Sequence, residues 1–126
     1  MTSLLVDALM DARQMTGDDA IGPMVVRAAG WLRDDAVTSD GQAFRYLWGC
    51  NDVDYDDSST ADLNLLISYV FAAAYGVSGD ADWLDFGDTM AHAGVDAMFA
   101  GRPKQWSQST RAFLKYMGTR ALDRAP

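Results

Sequence analysis

Residues 66–80, LISYVFAAAYGVSGD, decide the fold of this chain, because a second version of them, LLVDALMDARQMTGD, stands 62 residues earlier at 4–18. Both copies carry apolar residues at helical spacing and end in a hydroxyl residue, a glycine and an aspartate. The glycine can adopt the left-handed conformation that ends a helix, and the aspartate can cap the next helix. A repeated apolar frame implies a repeated way of burying it, so the sequence predicts two helical hairpins.

The spacing of apolar residues outward from these turns predicts five helices. They run from Ser3, as N-cap, to about Met15; from Gly22-Pro23 to about Ala36; from about Thr60 to Tyr75; from Asp80 to about Phe99; and from about Trp106 to Leu122. The predicted inward stripes are Leu4, Leu5, Ala8, Leu9, Ala12 and Met15; Met24, Val25, Ala28, Ala29, Leu32 and Ala36; Leu63, Leu66, Ile67, Val70, Phe71 and Ala74; Leu84, Gly87, Met90, Ala91, Gly94, Val95 and Met98; and Phe113, Leu114, Met117 and Leu122. Trp31 and Trp83 are expected to pack.

The fold class is therefore all-α, with 126 residues forming one domain of about two and a half hairpins. The repeat units span about 3–38 and 60–100, and a terminal helix spans about 106–122. The apolar stretches look too short and too interrupted to cross a bilayer, and no basic start of a secretion signal is present. We expect a soluble chain, and the sequence does not identify its cellular compartment. The single cysteine, Cys50, excludes an internal disulfide.

Charge is divided unequally along the chain. Residues 1–101 hold 17 aspartates against four arginines, which gives a formal charge of −13. Residues 102–126 hold six Lys or Arg against one aspartate, which gives a formal charge of +5. The acidic body would repel nucleic acid and anionic membranes, so neither is expected as a partner. The basic end is predicted to lie against the acidic body or to dock on an acidic partner.

The connection from 39 to 59 is the strongest candidate for a site, because such long connections are often functional. Its segment 42–48 could be a short extended piece or a helical turn. Flat rings can stack on sugar faces, and polar neighbours can bind the hydroxyl groups. The predicted carbohydrate-binding residues are Tyr46, Trp48 and Tyr55 with Arg45 and Asn51. The alternative is that Phe44, Tyr46 and Trp48 fold over a helix end and complete the core.

Alternating carboxylates in the same connection could converge on calcium, namely Asp52, Asp54 and Asp56. The segment 60–66 that follows resembles the helix after the calcium loop of a dockerin. The spacing departs from that pattern, because Asp57 replaces the required glycine, Asp62 falls one residue early and Ser59 takes the usual apolar position. A solvated loop with helix-capping carboxylates is the favoured alternative to calcium binding.

His92 is the single histidine, and Asp88 and Asp96 lie four residues to either side of it. This spacing aligns the three along one helix edge, where the imidazole could act as a base or ligand. A surface histidine between two acids is the favoured interpretation. Cys50 has no histidine nearby in sequence, so a nucleophilic role is not expected.

The segment from Asp62 to Phe99 resembles one hairpin of the (α/α) toroids, on its apolar helix, its Tyr75-Gly76 end, the Ser-Gly-Asp turn and Trp83-Leu84. That group includes six-hairpin glycosidases and the helical domains of polysaccharide lyases. The resemblance implies part of a carbohydrate-active protein, with glycoside hydrolysis or polysaccharide elimination as its chemistry. Asp52, Asp54 and Asp56 are then weak catalytic candidates, because a glycosidase needs two carboxyl groups.

A complete toroid needs several more hairpins, so the resemblance also implies a fragment, a terminal part, or a small relative that self-associates. Carbohydrate, a second copy and parent-protein domains are the corresponding partners. Two alternatives remain open. One is a non-catalytic helical protein–protein interaction module that docks through its basic fifth helix or the small-residue faces, such as Ala72-Ala73-Ala74. The other is a dockerin-like calcium module.

Overall fold

The computed structural model describes residues 2–45, 61–98 and 103–123, and in these ranges the regular elements are all helical. The helices are α1 (Thr2–Thr16), α2 (Ile21–Asp34), α3 (Asn64–Ser78), α4 (Asp82–Met98) and α5 (Pro103–Asp123), with a 3-10 turn at Ala61–Leu63 leading into α3. The all-α prediction of five helices is confirmed. α5 starts three residues earlier than expected, because proline lacks the N–H that a first helical position leaves unpaired.

The two predicted turns share one hydrogen-bond pattern. In each, the glycine has a positive φ, +69° and +73°, which a residue without a Cβ adopts at low cost. The hydroxyl donates to the carbonyl four residues back, and the aspartate accepts the amide two residues on. The matched pairs are Thr16 to Ala12 and Ser78 to Ala74, both 2.8 Å, and Ala20 to Asp18 and Asp82 to Asp80, 2.9 and 3.1 Å. The repeat therefore reproduces the backbone of the turn.

Helix α3 is the centre of the molecule, and each of the other four helices contacts it. Phe71 on α3 is fully buried and lies among three other aromatic rings. Its ring centroid is 6.1 Å from that of Phe44, 6.4 Å from that of Trp83 and 4.8 Å from that of Phe86. This aromatic group brings together α3, α4 and Phe44, which lies at the end of the segment after α2. It belongs to the same core cluster as the buried residues of the first hairpin.

The central position of α3 corrects one expectation about membranes. The segment Ala61–Ser78 is long and apolar enough to cross a bilayer by length and composition, with a mean hydropathy of 1.3. In the structure, this segment is the core helix. Its run from Val70 to Ala74 is fully buried against the surrounding helices. The apolar stretch is continuous because α3 is covered on several sides.

Two inward stripes, those of the flanking helices α1 and α5, were predicted only in part: Leu9, Ala12 and Phe113 are half-buried against the core, and the other predicted residues are not. On α1, Leu4, Leu5, Ala8 and Met15 are exposed, while Ser3 and Val6 are buried. Ser3 therefore lies inside the helix and is not its N-cap. On α5, Leu114, Met117 and Leu122 are exposed, and Ser109 and Tyr116 are buried. Each helix has apolar residues on more than one side, so periodicity alone does not identify the buried side.

The stripes of α2 and α4 are mostly confirmed. Val25, Ala29, Leu32 and Ala36 are buried, whereas Met24 is exposed and Ala28 is half-buried. On α4, every predicted inward residue is buried except the half-buried Val95. The third stripe is confirmed at Val70, Phe71 and Ala74 and is half-buried at Leu63, Leu66 and Ile67.

Candidate interaction surface

Most residues of the predicted carbohydrate or calcium site lie outside the described residues. These are Tyr46, Trp48, Asn51, Asp52, Asp54, Tyr55 and Asp56, and Cys50 also lies outside the described residues. The carbohydrate site and the calcium loop therefore stay predictions. Among the residues that the structure does describe, no cluster of three or more His, Cys, Asp or Glu side chains could hold a metal ion.

Arg45 is the one predicted site residue that is described, and it closes the segment after α2. Its backbone amide donates to the Ala36 carbonyl at 2.8 Å, and its guanidinium donates to the Asp35 carbonyl at 3.4 Å. Next to it, Phe44 pairs with Val37 in an antiparallel bridge and is buried against Phe71. The alternative in which Phe44 completes the core is confirmed for that residue.

His92 is exposed on α4, as the favoured surface interpretation expects. The carboxylate of Asp88 is directed to α5 instead: it accepts the Tyr116 hydroxyl at 2.5 Å and two guanidinium N–H groups of Arg120 at 2.8 and 3.0 Å. Asp85 also pairs with Arg120, at 3.1 Å. Asp88 and Asp85 therefore serve the packing of α4 against α5, while Asp96 is exposed.

The basic end of the chain lies against the acidic body, which confirms the first of the two expectations for it. Lys115 donates to Asp7 on α1, and Arg111 pairs with the same carboxylate at 2.8 Å. This contact raises the pKa of Lys115, since a hydrogen bond to a carboxylate favours the charged ammonium. Asp11 lies 3.7–3.8 Å from the same two bases. The fifth helix is thus occupied by contacts within the chain, and Ala72-Ala73-Ala74 are buried.

The structure leaves apolar side chains of the first hairpin exposed that the sequence predicted to be buried. Trp31, expected to pack, is 40% exposed, Met24 is 46% exposed and Leu5 is 59% exposed. We call this exposed part of the first hairpin the open face. It consists of Leu4, Leu5, Ala8 and Met15 on α1 with Met24 and Trp31 on α2.

The repeat explains what the open face is. Adding 62 to each of its residue numbers gives residues that are buried or half-buried in the second hairpin. The equivalents are Leu66, Ile67, Val70 and Val77 on α3 with Phe86 and Ala93 on α4. Ile67, Val70 and Phe86 belong to the core cluster that packs on Val6, Val25 and Ala29 of the first hairpin. The open face is therefore the repeat image of the surface by which one hairpin packs on its neighbour.

An open depression of 420 Å³ also lies beside this hairpin, between the α1–α2 turn and Tyr69 of α3. Its lining includes Arg13, which pairs with Asp19 at 3.4 Å, together with Met10, Asp11, Gln14 and Gly17. The depression contains none of the predicted site residues, and its polar groups are largely paired among themselves or with α5. The side chains that line the depression do not form a recognisable catalytic or binding site.

The sequence carries no signal for the open face, because Leu5 and Met24 are as apolar as their repeat equivalents Ile67 and Phe86. Comparison with protein families, with curated proteins and with solved structures finds no match to this chain.

Proposed function

We propose that the chain is a helical interaction module that binds a further hairpin of the same repeat type through its open face. The observation that carries the proposal is the exposure of Leu5, Ala8 and Met24 at positions whose repeat equivalents, Ile67, Val70 and Phe86, belong to the cluster between the two hairpins. Trp31 is exposed on the same helix as Met24. Several large apolar side chains exposed on one hairpin of a small protein are typical of an interaction site. Such side chains are most stable when a matching apolar surface covers them.

The internal interface also indicates the chemistry of the partner. Within this chain, the second hairpin packs on a face made of small and aliphatic side chains, including Val6, Val25 and Ala29, with Gly22 allowing a close approach. A Cβ at Gly22 would lie 3.0 Å from the Val77 side chain, so the two hairpins are in tight contact there. The expected partner surface is an antiparallel helix pair with that same pattern of small and aliphatic residues.

Site-specific photo-crosslinking in the native cell tests this function. A photoreactive phenylalanine analogue replaces Trp31 in one variant and Leu114 in another, because Leu114 is an equally apolar, exposed residue of α5 outside the open face. The expected result is an adduct from position 31 whose crosslinked peptide maps to an apolar helical hairpin. Equal adduct yields at the two positions, or adducts to non-helical segments, would overturn the proposal.

A further inference from the structure

This chain itself contains a second surface of small and aliphatic residues on an antiparallel helix pair, and α5 covers it. Positions of the first hairpin that face α3 have repeat equivalents in the second hairpin that face α5. Met10, Ala29 and Ala36 pack in the cluster with α3. Their equivalents Ala72, Ala91 and Met98 pack in a second cluster with Tyr116 and Phe113 of α5. α5 therefore covers the surface of the second hairpin that corresponds to the surface on which the first hairpin receives its neighbour.

The contact between Gly87 and Tyr116 shows how closely α5 occupies this surface. Gly87 is the repeat equivalent of Val25, which is buried against α3. A Cβ at Gly87 would lie 2.8 Å from the Tyr116 ring. A docked hairpin and α5 would need the same volume, so the two exclude each other.

α5 is attached differently from the hairpins. Tyr116 is its one large residue that is fully buried among those whose side chains the structure describes. Beyond Tyr116 and the half-buried Phe113, α5 packs along α3 and forms ion pairs in which Asp7, Asp88 and Arg120 are mostly buried. Among the described residues, the cluster around Phe71 includes none from α5. Displacing α5 would therefore leave that aromatic cluster in place.

Displacing α5 uncovers carboxylates on both hairpins. Arg120 leaves Asp85 and Asp88, which lie beside Gly87, and Arg111 and Lys115 leave Asp7. The open face carries the exposed Arg27 between Met24 and Trp31. Arg27 is therefore the cation that the open face offers to the carboxylates beside Gly87.

We propose that α5 is an autoinhibitory cap, occupying in each chain the surface on which the open face of a second copy docks head to tail. The proposal rests on the proposed function of the open face. Displacement of α5 frees the surface formed by Leu65, Ala72, Leu84, Gly87 and Ala91, and the copies then associate through α1–α2 of one and α3–α4 of the next. Such an interface is heterologous and does not use the same patch on both copies.

The first test uses the full chain with Tyr116→Ala and Arg120→Ser, which remove the buried anchor and the contact to the α4 carboxylates. Sedimentation velocity is expected to show the wild-type chain as a single species and the variant as a concentration-dependent series of larger species. Adding Met24→Ser and Trp31→Ser is expected to restore the single species. Adding Leu114→Ser and Met117→Ser, which change exposed apolar residues on α5, is the matched control and is expected to leave the association unchanged.

A second variant guards against loss of folding. Asp7→Lys places a third cation beside Arg111 and Lys115 and leaves the aromatic cluster untouched. Association is expected in Asp7→Lys and is expected to disappear in Asp7→Lys with Lys115→Asp, which restores an opposite-charge pair. Hydrogen exchange should show that amides of 107–123 exchange faster in Asp7→Lys while those of 67–74 stay protected.

The outcomes separate the two proposals. Monomeric Asp7→Lys with a rapidly exchanging α5 would overturn the autoinhibitory cap, as would association that the Met24 and Trp31 changes fail to suppress. If crosslinking at position 31 succeeds while the released variants stay monomeric, the open face binds another hairpin and only the inference about a second copy fails. Absence of adducts at position 31 would overturn the function itself.

Discussion

The hydroxyl of Tyr116 on α5 donates to the Asp88 carboxylate at 2.5 Å and lies 3.0 Å from the Leu84 carbonyl oxygen, while its ring lies on the bare backbone of Gly87. The ring is so close to α4 that a Cβ at position 87 would lie 2.8 Å from it. The absence of a side chain at Gly87 makes the approach sterically possible. One glycine thus fixes where α5 sits on the second hairpin.

Alanine at Gly87 is expected to destabilise the fold, and alanine at Gly118 is expected to stabilise it. The new methyl group at 87 would clash with the buried Tyr116 ring and cost about 1–3 kcal/mol. Gly118 is exposed in the interior of α5, and a Cβ there would meet no atom within 4 Å, so alanine gains about 0.5–1 kcal/mol of helix propensity. Urea unfolding of both variants measures the difference, and a shift of the same sign in both would contradict the close contact.

The turn glycines give a second matched pair. Gly79 has a φ of +73°, where an alanine costs about 1–2 kcal/mol, and Gly17 at +69° is expected to behave alike. Gly76, three residues before Gly79, lies within α3 and has open space, so Gly76→Ala is expected to be neutral or stabilising. Thermal unfolding of the three single variants checks this. Unequal losses at 17 and 79 would argue against equivalent turns.

The aromatic cluster around Phe71 is expected to carry much of the stability. Phe71→Ala removes a fully buried ring that contacts three other aromatic side chains and is expected to cost about 3–5 kcal/mol. Leu114→Ala removes an exposed side chain and is expected to change stability by less than about 0.5 kcal/mol. Chemical unfolding measures both free energies. A small loss at Phe71 would mean that α3 is not the centre of the core.

Stability is expected to fall as the pH rises above about 10. The pKa of Lys115 is raised by its hydrogen bond to Asp7, and the pKa of Tyr75 is raised because its hydroxyl donates to Asp123 at 2.6 Å. Both folded-state pKa values exceed the unfolded values. The stabilising contributions are therefore complete below the unfolded pKa and disappear as the pH rises through the folded pKa.

The control for this alkaline loss is the double change Lys115→Gln and Tyr75→Phe. Unfolding free energies measured between about pH 9 and about pH 11.5 should fall less steeply in that variant than in the wild-type chain. Equal slopes in the two proteins would show that neither contact with α5 is linked to protonation.

The sequence was sufficient to predict the helices and the turns between them, but not which faces of α1 and α5 are buried. The Gly-Asp turns and the stripe from Leu84 to Met98 follow from local rules of capping and helical period, so they were recognisable without a structure. The faces of α1 and α5 were not, because Leu4 and Leu114 are apolar while lying outward. Which apolar stripe is buried depends on what packs against it, and that is a property of the whole chain.

The open face also contains residues whose burial was predicted from local rules and is not found in the structure. Trp31 was expected to pack because tryptophan in a helix is usually buried, and Met24 was expected to face the core. Both expectations describe what these residues do in a hairpin with neighbours on both sides. Within the part of the chain that the structure describes, no neighbour covers this side, so residues with the composition of an interior lie at the surface.

Oxidative footprinting tests the open face most directly, because methionine and tryptophan are readily oxidised when exposed. Hydroxyl radicals are applied to the purified chain and to the protein in its native cell, and oxidation of Met15, Met24 and Trp31 is compared with that of Met117 on α5. We expect all four to be oxidised in the purified chain, and the first three to become protected in the cell while Met117 does not. Equal oxidation of Met24, Trp31 and Met117 in the cell would contradict a partner on the open face.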